Sequence, residues 1–137
     1  MTTLTRYPFR RYFTVVAAAL ALAWGGAAQA HCDTLDGPDA LTWKEAPTPE
    51  PGKGEVRVAI KASSLNFPDL LIVQGKYQFK PELPFSAGGE CAGVVEAVGA
   101  KVKNVKPGDK VICFTGWGAF AQQVLADSRA LIPMPAE

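Results

Sequence analysis

The apolar residues from Glu55 onward come in short runs, and glycine or proline follows most of these runs closely. "EVRVAIKA" is the clearest run, because apolar residues alternate with charged or small ones at the two-residue period of a half-buried strand. Further strands are predicted at Gly93–Val98, at Lys110–Phe114, in "GAFAQQVLA" and as a short extended piece in "ALIPMPAE". The sequence therefore predicts a mainly β fold, a small and partly open β-barrel.

One or two short helices complete the predicted fold, and the clearest lies in "NFPDLLIVQG". Asn66 can cap this helix, and Pro68 fits its first turn. Asp69 lies near the positive end of the helix dipole, and Gly75 can end the helix. No strand is followed by a long amphipathic helix, and no Gly-x-Gly-x-x-Gly turn opens one. The sequence therefore predicts no Rossmann nucleotide-binding domain within these residues.

Composition limits the chain to one globular domain and excludes some partners. The 137 residues are 48% hydrophobic, and 14 Lys and Arg residues balance 13 Asp and Glu residues. No basic face with interleaved aromatics is visible, so nucleic acid is not an expected partner. Cys32, Cys91 and Cys113 are widely spaced, which argues against a disulfide framework and a structural zinc site. They are predicted to be buried strand residues, although one pair could bridge if the geometry allowed it.

Residues 1–30 have the composition of an export signal. "MTTLTRYPFRRYF" is positively charged, "TVVAAALALAW" is apolar, and "GGAAQA" ends in the small-x-small pattern of a signal-peptidase site. Cleavage is predicted after Ala30, giving a periplasmic or secreted protein without a membrane anchor. An uncleaved anchor, a twin-arginine route and copper binding by a terminal His31 are weaker alternatives. Residues 31–40 are predicted to be a junction segment.

Three motifs identify the rest of the chain by resemblance. "NFPDLL", "GGECAGVVEAVG" and "PGDKV" occur here in the order and spacing of the N-terminal, GroES-like domain of the medium-chain dehydrogenase/reductase superfamily. Residues 41–137 most resemble the zinc-independent NADPH:quinone oxidoreductases, with the domain truncated before the nucleotide-binding part. The resemblance implies hydride transfer from NADPH to a quinone or enone, a cytoplasmic location and a homodimer in the full-length family. The cytoplasmic location conflicts with the export signal, because NADPH is regenerated in the cytosol.

The same resemblance implies the site residues. Asn66 is expected nearest the nicotinamide and the acceptor, in a catalytic and cofactor-binding role. Asp69 is expected behind it as a second catalytic residue, and Tyr77 is expected to line the cofactor cleft. Simpler roles stay open: a helix cap for Asn66, a dipole partner for Asp69 and a packed loop aromatic for Tyr77.

No metal site is expected at these positions. Zinc-dependent members carry cysteine where Asn66 stands and histidine where Gly89 stands, and neither residue present here is a zinc ligand. Glu90 remains from the family's Gly-His-Glu pattern. It is predicted to form an internal ion pair or to accept backbone N–H groups.

Two departures from the family decide the predicted function. The family's first strand is replaced here by the export signal and "HCDTLD", so the barrel is predicted to lack an edge strand. The nucleotide-binding domain is absent, so this chain alone is predicted to bind no NADPH. The leading hypothesis is a fragment or fusion of a quinone or enone oxidoreductase that is inactive alone. A secreted, non-catalytic β-barrel binding module is one alternative, and an artefactual joining of two genes is another.

Overall fold

The computed structural model of the chain describes residues 27–135. Almost all regular structure in this range is β. The strands are β1 (Ala27–Cys32), β2 (Thr42–Ala46), β3 (Glu55–Ser63), β4 (Phe85–Ser86), β5 (Glu90–Val98), β6 (Lys110–Phe114), β7 (Gln123–Asp127) and β8 (Leu131–Pro133). The α-helix α1 spans Phe67–Ile72, and two 3-10 helices span Pro38–Ala40 and Ser128–Ala130. No helix within 27–135 is long and apolar enough to cross a membrane.

The strands form two antiparallel sheets, ordered β2-β1-β4 and β7-β3-β5-β6-β8. Gln122 joins one sheet to the other through its backbone. Its carbonyl oxygen accepts the Ile60 N–H at 2.9 Å, and its N–H donates to the Ala28 carbonyl oxygen at 2.9 Å. The predicted mainly β, partly open barrel is therefore confirmed.

Most strands predicted from alternation are present. In β3, Val56 and Val58 are fully buried, as the pattern requires. The strand at Lys110–Phe114 has the predicted bounds, and β5 begins three residues earlier than predicted, at Glu90. β7 starts only at Gln123. The residues just before it, Phe120 and Gln122, form backbone hydrogen bonds with β1, and Gln122 also bonds to β3. β2 was not predicted, since four of its five residues are exposed and carry no apolar alternation.

The prediction that the barrel lacks its first strand is wrong. Ala27–Cys32 forms the middle strand of the three-stranded sheet and pairs with both β2 and β4. Small residues hid this strand in the sequence, since alanines carry little strand signal. Residues 1–26 of the predicted export signal lie outside the described residues. Cleavage after Ala30 stays a prediction, and that cut would fall inside β1.

Two apolar clusters hold the fold together. The first is formed mainly by buried residues of the five-stranded sheet and contains Val56, Val58, Cys91, Val95, Val111, Cys113, Ala119, Val124 and Ala126. The second packs α1 against the three-stranded sheet and contains Cys32, Ile72, Val73, Phe85 and Ala87. All three cysteines are buried strand residues with free thiols, as predicted. Burial raises the pKa of Cys32 to about 11, which keeps this thiol protonated and unreactive.

Candidate functional site

The start of α1 brings two polar residues, Asn66 and Asp69, to the start of β5. Asn66 occupies the N-cap position and forms a capping box with Asp69. The Asp69 Oδ2 atom accepts the Asn66 N–H at 2.8 Å. The Asn66 Nδ2 atom donates to Glu90 Oε1 at 3.0 Å and to Ser64 Oγ at 3.3 Å. The Asn66 side chain therefore links the start of α1 to the start of β5.

Glu90 is the residue whose role the sequence analysis missed. It begins β5 and accepts hydrogen bonds from Ser64 Oγ and Asn66 Nδ2. The predicted ion pair or backbone donors are wrong, since both of these partners are side chains from the segment that follows β3. The two hydrogen bonds lower the pKa of the Glu90 carboxyl below its ordinary value, because they stabilise the charged form. Glu90 is thus a fixed negative charge at neutral pH, not a proton donor.

Asp69 lies behind this group and is 3% exposed. Burial raises the pKa of its carboxyl, hydrogen bonds from the Asn66 and Gly89 N–H groups oppose the rise, and the charge of Glu90 adds to it. A Cβ atom on Gly89 would lie 3.3 Å from Asp69 Oδ1, so glycine leaves the space that the carboxylate occupies. Asp69 therefore ties the start of α1 to the start of β5.

The glycine pair ahead of β5 allows the close backbone approach that its sequence predicts. Gly88 has a φ of +96°, and a Cβ atom there would lie 2.6 Å from the Phe120 nitrogen. Gly88 in turn accepts the Ala119 N–H, and Gly89 accepts the N–H groups of Thr115 and Gly116. The loop after β6 is thereby held against the start of β5.

The residues present do not fit a catalytic zinc ion. Asn66 uses both Nδ2 hydrogens toward Glu90 and Ser64, and Gly89 has no side chain that could bind a metal ion. Within residues 27–135, no three His, Cys, Asp or Glu side chains are grouped to hold a metal ion. Zinc independence itself stays a prediction.

Exposed apolar residues neighbour the polar group in the chain and in the sheet. Leu65 and Phe67 flank Asn66 in the chain and are 63% and 71% exposed. Phe114 lies opposite Glu90 in the β5–β6 ladder, and Trp117 follows in the loop held by Gly89. Both aromatic residues are also exposed. Apolar side chains gathered around a few fixed polar groups are typical of a ligand or domain contact surface. The Asn66 face is the name used below for Ser64, Leu65, Asn66, Phe67, Glu90, Phe114 and Trp117.

Tyr77 packs against the second apolar cluster. Its ring is half-buried, and the ring centroid is 6.0 Å from that of Phe79. The structure thus brings Asn66 and Asp69 together, as predicted, and gives Tyr77 a packing role. The cofactor role of Tyr77 stays a prediction.

Ser64→Ala is expected to raise the pKa of Glu90 toward its ordinary value, because it removes the hydrogen bond that contributes most to the lowering. Titration of the Glu90 carboxyl by carbon-detected NMR measures this change. Ser63→Ala is the matched control, since Ser63 Oγ donates to the Ala119 carbonyl oxygen and not to Glu90. A Glu90 pKa that Ser64→Ala leaves unchanged would contradict the hydrogen-bond account.

Asp69→Asn is expected to change how stability depends on pH. Because the folded pKa of Asp69 is raised, its contribution to stability is full below about 3.8 and is lost as the pH rises through the folded pKa. The free energy of unfolding of the wild type, minus that of Asp69→Asn, should therefore fall from acid to neutral pH.

Asp109→Asn is the opposite control for this measurement, because hydrogen bonds from Lys106 lower the pKa of Asp109. The same difference should rise with pH for Asp109→Asn. Urea unfolding across this pH range measures both variants. A difference that rises with pH for Asp69→Asn would contradict the burial of its charge.

Comparison with known proteins gives consistent matches. Residues 52–136 match the family model of the alcohol dehydrogenase GroES-like domain. The rat "Quinone oxidoreductase-like protein 2" is 41% identical over 106 residues, which cover 77% of this chain and 30% of that protein. The quinone oxidoreductase of Pseudomonas syringae pv. Tomato superposes with a TM-score of 0.75 at 35% identity, covering 80% of this chain and 34% of that one.

A mycobacterial protein solved in complex with NADPH superposes with a TM-score of 0.72 at 32% identity. The match covers 80% of this chain and 32% of that chain. Coverage of the curated relatives is similarly partial. The chain spans 21% to 33% of the length of the mammalian relatives it matches.

Proposed function

Because the chain belongs to the alcohol dehydrogenase GroES-like domain family, we propose that it is the substrate-side domain of an oxidoreductase that uses NADPH to reduce a quinone or enone. The chain on its own is inactive in this proposal. The observation that carries it is the Asn66 face, where an ionised carboxylate and an amide are fixed next to exposed apolar residues. Its relatives with oxidoreductase names and the NADPH complex of a structural neighbour support the same activity class.

The Asn66 face suits the reactive end of NADPH and not its phosphates. The flat side chains of Phe67, Phe114 and Trp117 can pack against a nicotinamide or quinone ring. The acidic residues at this face and behind it are Glu90 and Asp69, whereas phosphates bind to cations and to N–H groups at helix N-termini. The phosphates therefore require a second domain, which is why the chain alone is proposed to be inactive.

The residues of this face position reactants and set their electrostatics. When bound, NADPH supplies a hydride to the acceptor. Glu90 places a fixed negative charge at the face, where it favours the positive charge that a hydride donor gains. Ser64 and Asn66 hold this carboxylate in one orientation, and Asp69 fixes the backbone that carries Asn66. The apolar side chains exclude water from the reacting atoms.

The inactivity of the isolated chain can be tested directly. The purified chain is mixed with NADPH and duroquinone, and NADPH absorbance is followed beside a protein-free control. The two rates should be equal, and calorimetry should detect no saturable NADPH binding. Sustained turnover with saturable binding would contradict the claim that a second domain is needed.

A further inference from the structure

We infer that folding of the domain hides the predicted processing site, so that the barrel and a cut after Ala30 are alternative fates of the chain. The inference rests on β1 and is independent of the proposed oxidoreductase activity. Its structural basis is that Ala27–Cys32 belongs to the folded sheet, although Ala30 also ends the small-x-small pattern of a signal-peptidase site.

The side chains before the predicted cut are core residues. Ala27, Ala28 and Ala30 are only 6%, 4% and 2% exposed. Ala28 and Ala30 are two residues apart, so a strand directs both toward the same face. A signal peptidase requires small side chains at these same two positions. The same two small residues therefore meet two requirements: they fit the packed core beside β1, and they match the recognition pattern of the protease.

The backbone before the predicted cut is also occupied. The Ala30 N–H donates to the Phe120 carbonyl oxygen at 2.7 Å, and the Ala30 carbonyl oxygen accepts the Ala87 N–H at 3.2 Å. The opposite edge of β1 is paired with β2. A protease that binds its substrate as an added strand needs these backbone groups free. In the folded domain the bond between Ala30 and His31 is therefore unavailable.

The order of events then decides the product. A chain that folds first keeps β1 and resists the cut. A chain that is cut while unfolded loses Ala27–Ala30, which are four of the six residues of β1 and part of the contact between the two sheets. Export with cleavage at this point and an intact GroES-like barrel consequently exclude each other.

The test uses the full 137-residue chain and purified bacterial signal peptidase I. Cleavage of the Ala30–His31 bond is followed by intact-mass spectrometry for the wild type, Val58→Ala, Gly93→Ala and Gly93→Val. These substitutions lie in the five-stranded sheet, away from the recognised sequence. The free energy of unfolding of each variant is measured in the same buffer by urea denaturation. Ala92→Val serves as a control that should keep wild-type stability and wild-type resistance.

The cleavage rate should follow the unfolded fraction, rising about tenfold for every 1.4 kcal/mol of lost stability. The folded wild type should stay intact while the least stable variant is cut after Ala30. Equal rates across the series would overturn the inference, because β1 would then be accessible in the folded domain. Absence of the cut in a variant shown to be unfolded would also overturn it, because the bond would not be a processing site.

Discussion

Ala30→Asp is expected to lower the free energy of unfolding by more than about 3 kcal/mol, because it places a carboxylate in a site that is 2% exposed. The new side chain would lie in the middle strand of the three-stranded sheet, where burial would remove its charge from water. Urea unfolding followed by circular dichroism measures the loss. The result matters because Ala30 belongs to the predicted export signal in the sequence and to the core in the fold.

Ala62→Asp is the matched control for this substitution. It makes the same chemical change on a strand, but Ala62 is exposed, so its effect should stay within about 1 kcal/mol. Ala30→Gly gives a milder variant if Ala30→Asp does not fold at all. Equal and small losses for Ala30→Asp and Ala62→Asp would show that β1 is not part of the stable domain.

Gly93→Val is expected to cost about 3 kcal/mol or more, because β3 and β5 approach too closely there for a side chain. A Cβ atom on Gly93 would overlap the Ala59 carbonyl oxygen and lie 2.8 Å from Val58 Cγ1. The Ala59 carbonyl belongs to the backbone of β3 and cannot move without opening the pairing of β3 with β5. Thermal and urea unfolding measure this loss.

Ala92→Val separates the close approach from a general effect of β-branched residues. Ala92 is the neighbour of Gly93 on β5 and is half-buried, so valine should change stability by no more than about 1 kcal/mol. If Gly93→Val and Ala92→Val had the same small effect, the tight contact between β3 and β5 would be wrong.

The strands that the sequence predicts correctly are those whose signal is local. β3 buries Val56 and Val58 on one face, so alternation alone reveals it. α1 begins at the predicted position because Asn66, Pro68 and Asp69 are start signals with a direct physical cause. β1 and β2 were missed because alanines and exposed residues carry no such pattern. Their pairing with each other stabilises them, and pairing depends on residues far apart in the chain.

The candidate site likewise contains residues that local sequence patterns predicted and one residue whose role they did not predict. The family motif and the helix start pointed to Asn66 and Asp69, and the structure places both in one hydrogen-bonded group. The role of Glu90 depends on the end of β3 meeting the start of β5, which no local pattern shows. Residue type alone suggested an ion pair, whereas the available donors were a hydroxyl and an amide. The GroES-like domain family is confirmed, whereas zinc independence and the catalytic roles of the residues remain proposals.

The most direct test of the proposed function is a chimera with a nucleotide-binding domain. Residues 27–137 replace the matching segment of the Pseudomonas syringae quinone oxidoreductase, and NADPH-dependent reduction of duroquinone is measured. The chimera should reduce the quinone, and Asn66→Ala should lower its kcat/KM at least about tenfold. Substitution of exposed Glu82 by alanine should leave kcat/KM unchanged. A folded chimera that binds NADPH but reduces no quinone, or one that Asn66→Ala leaves fully active, would contradict the account.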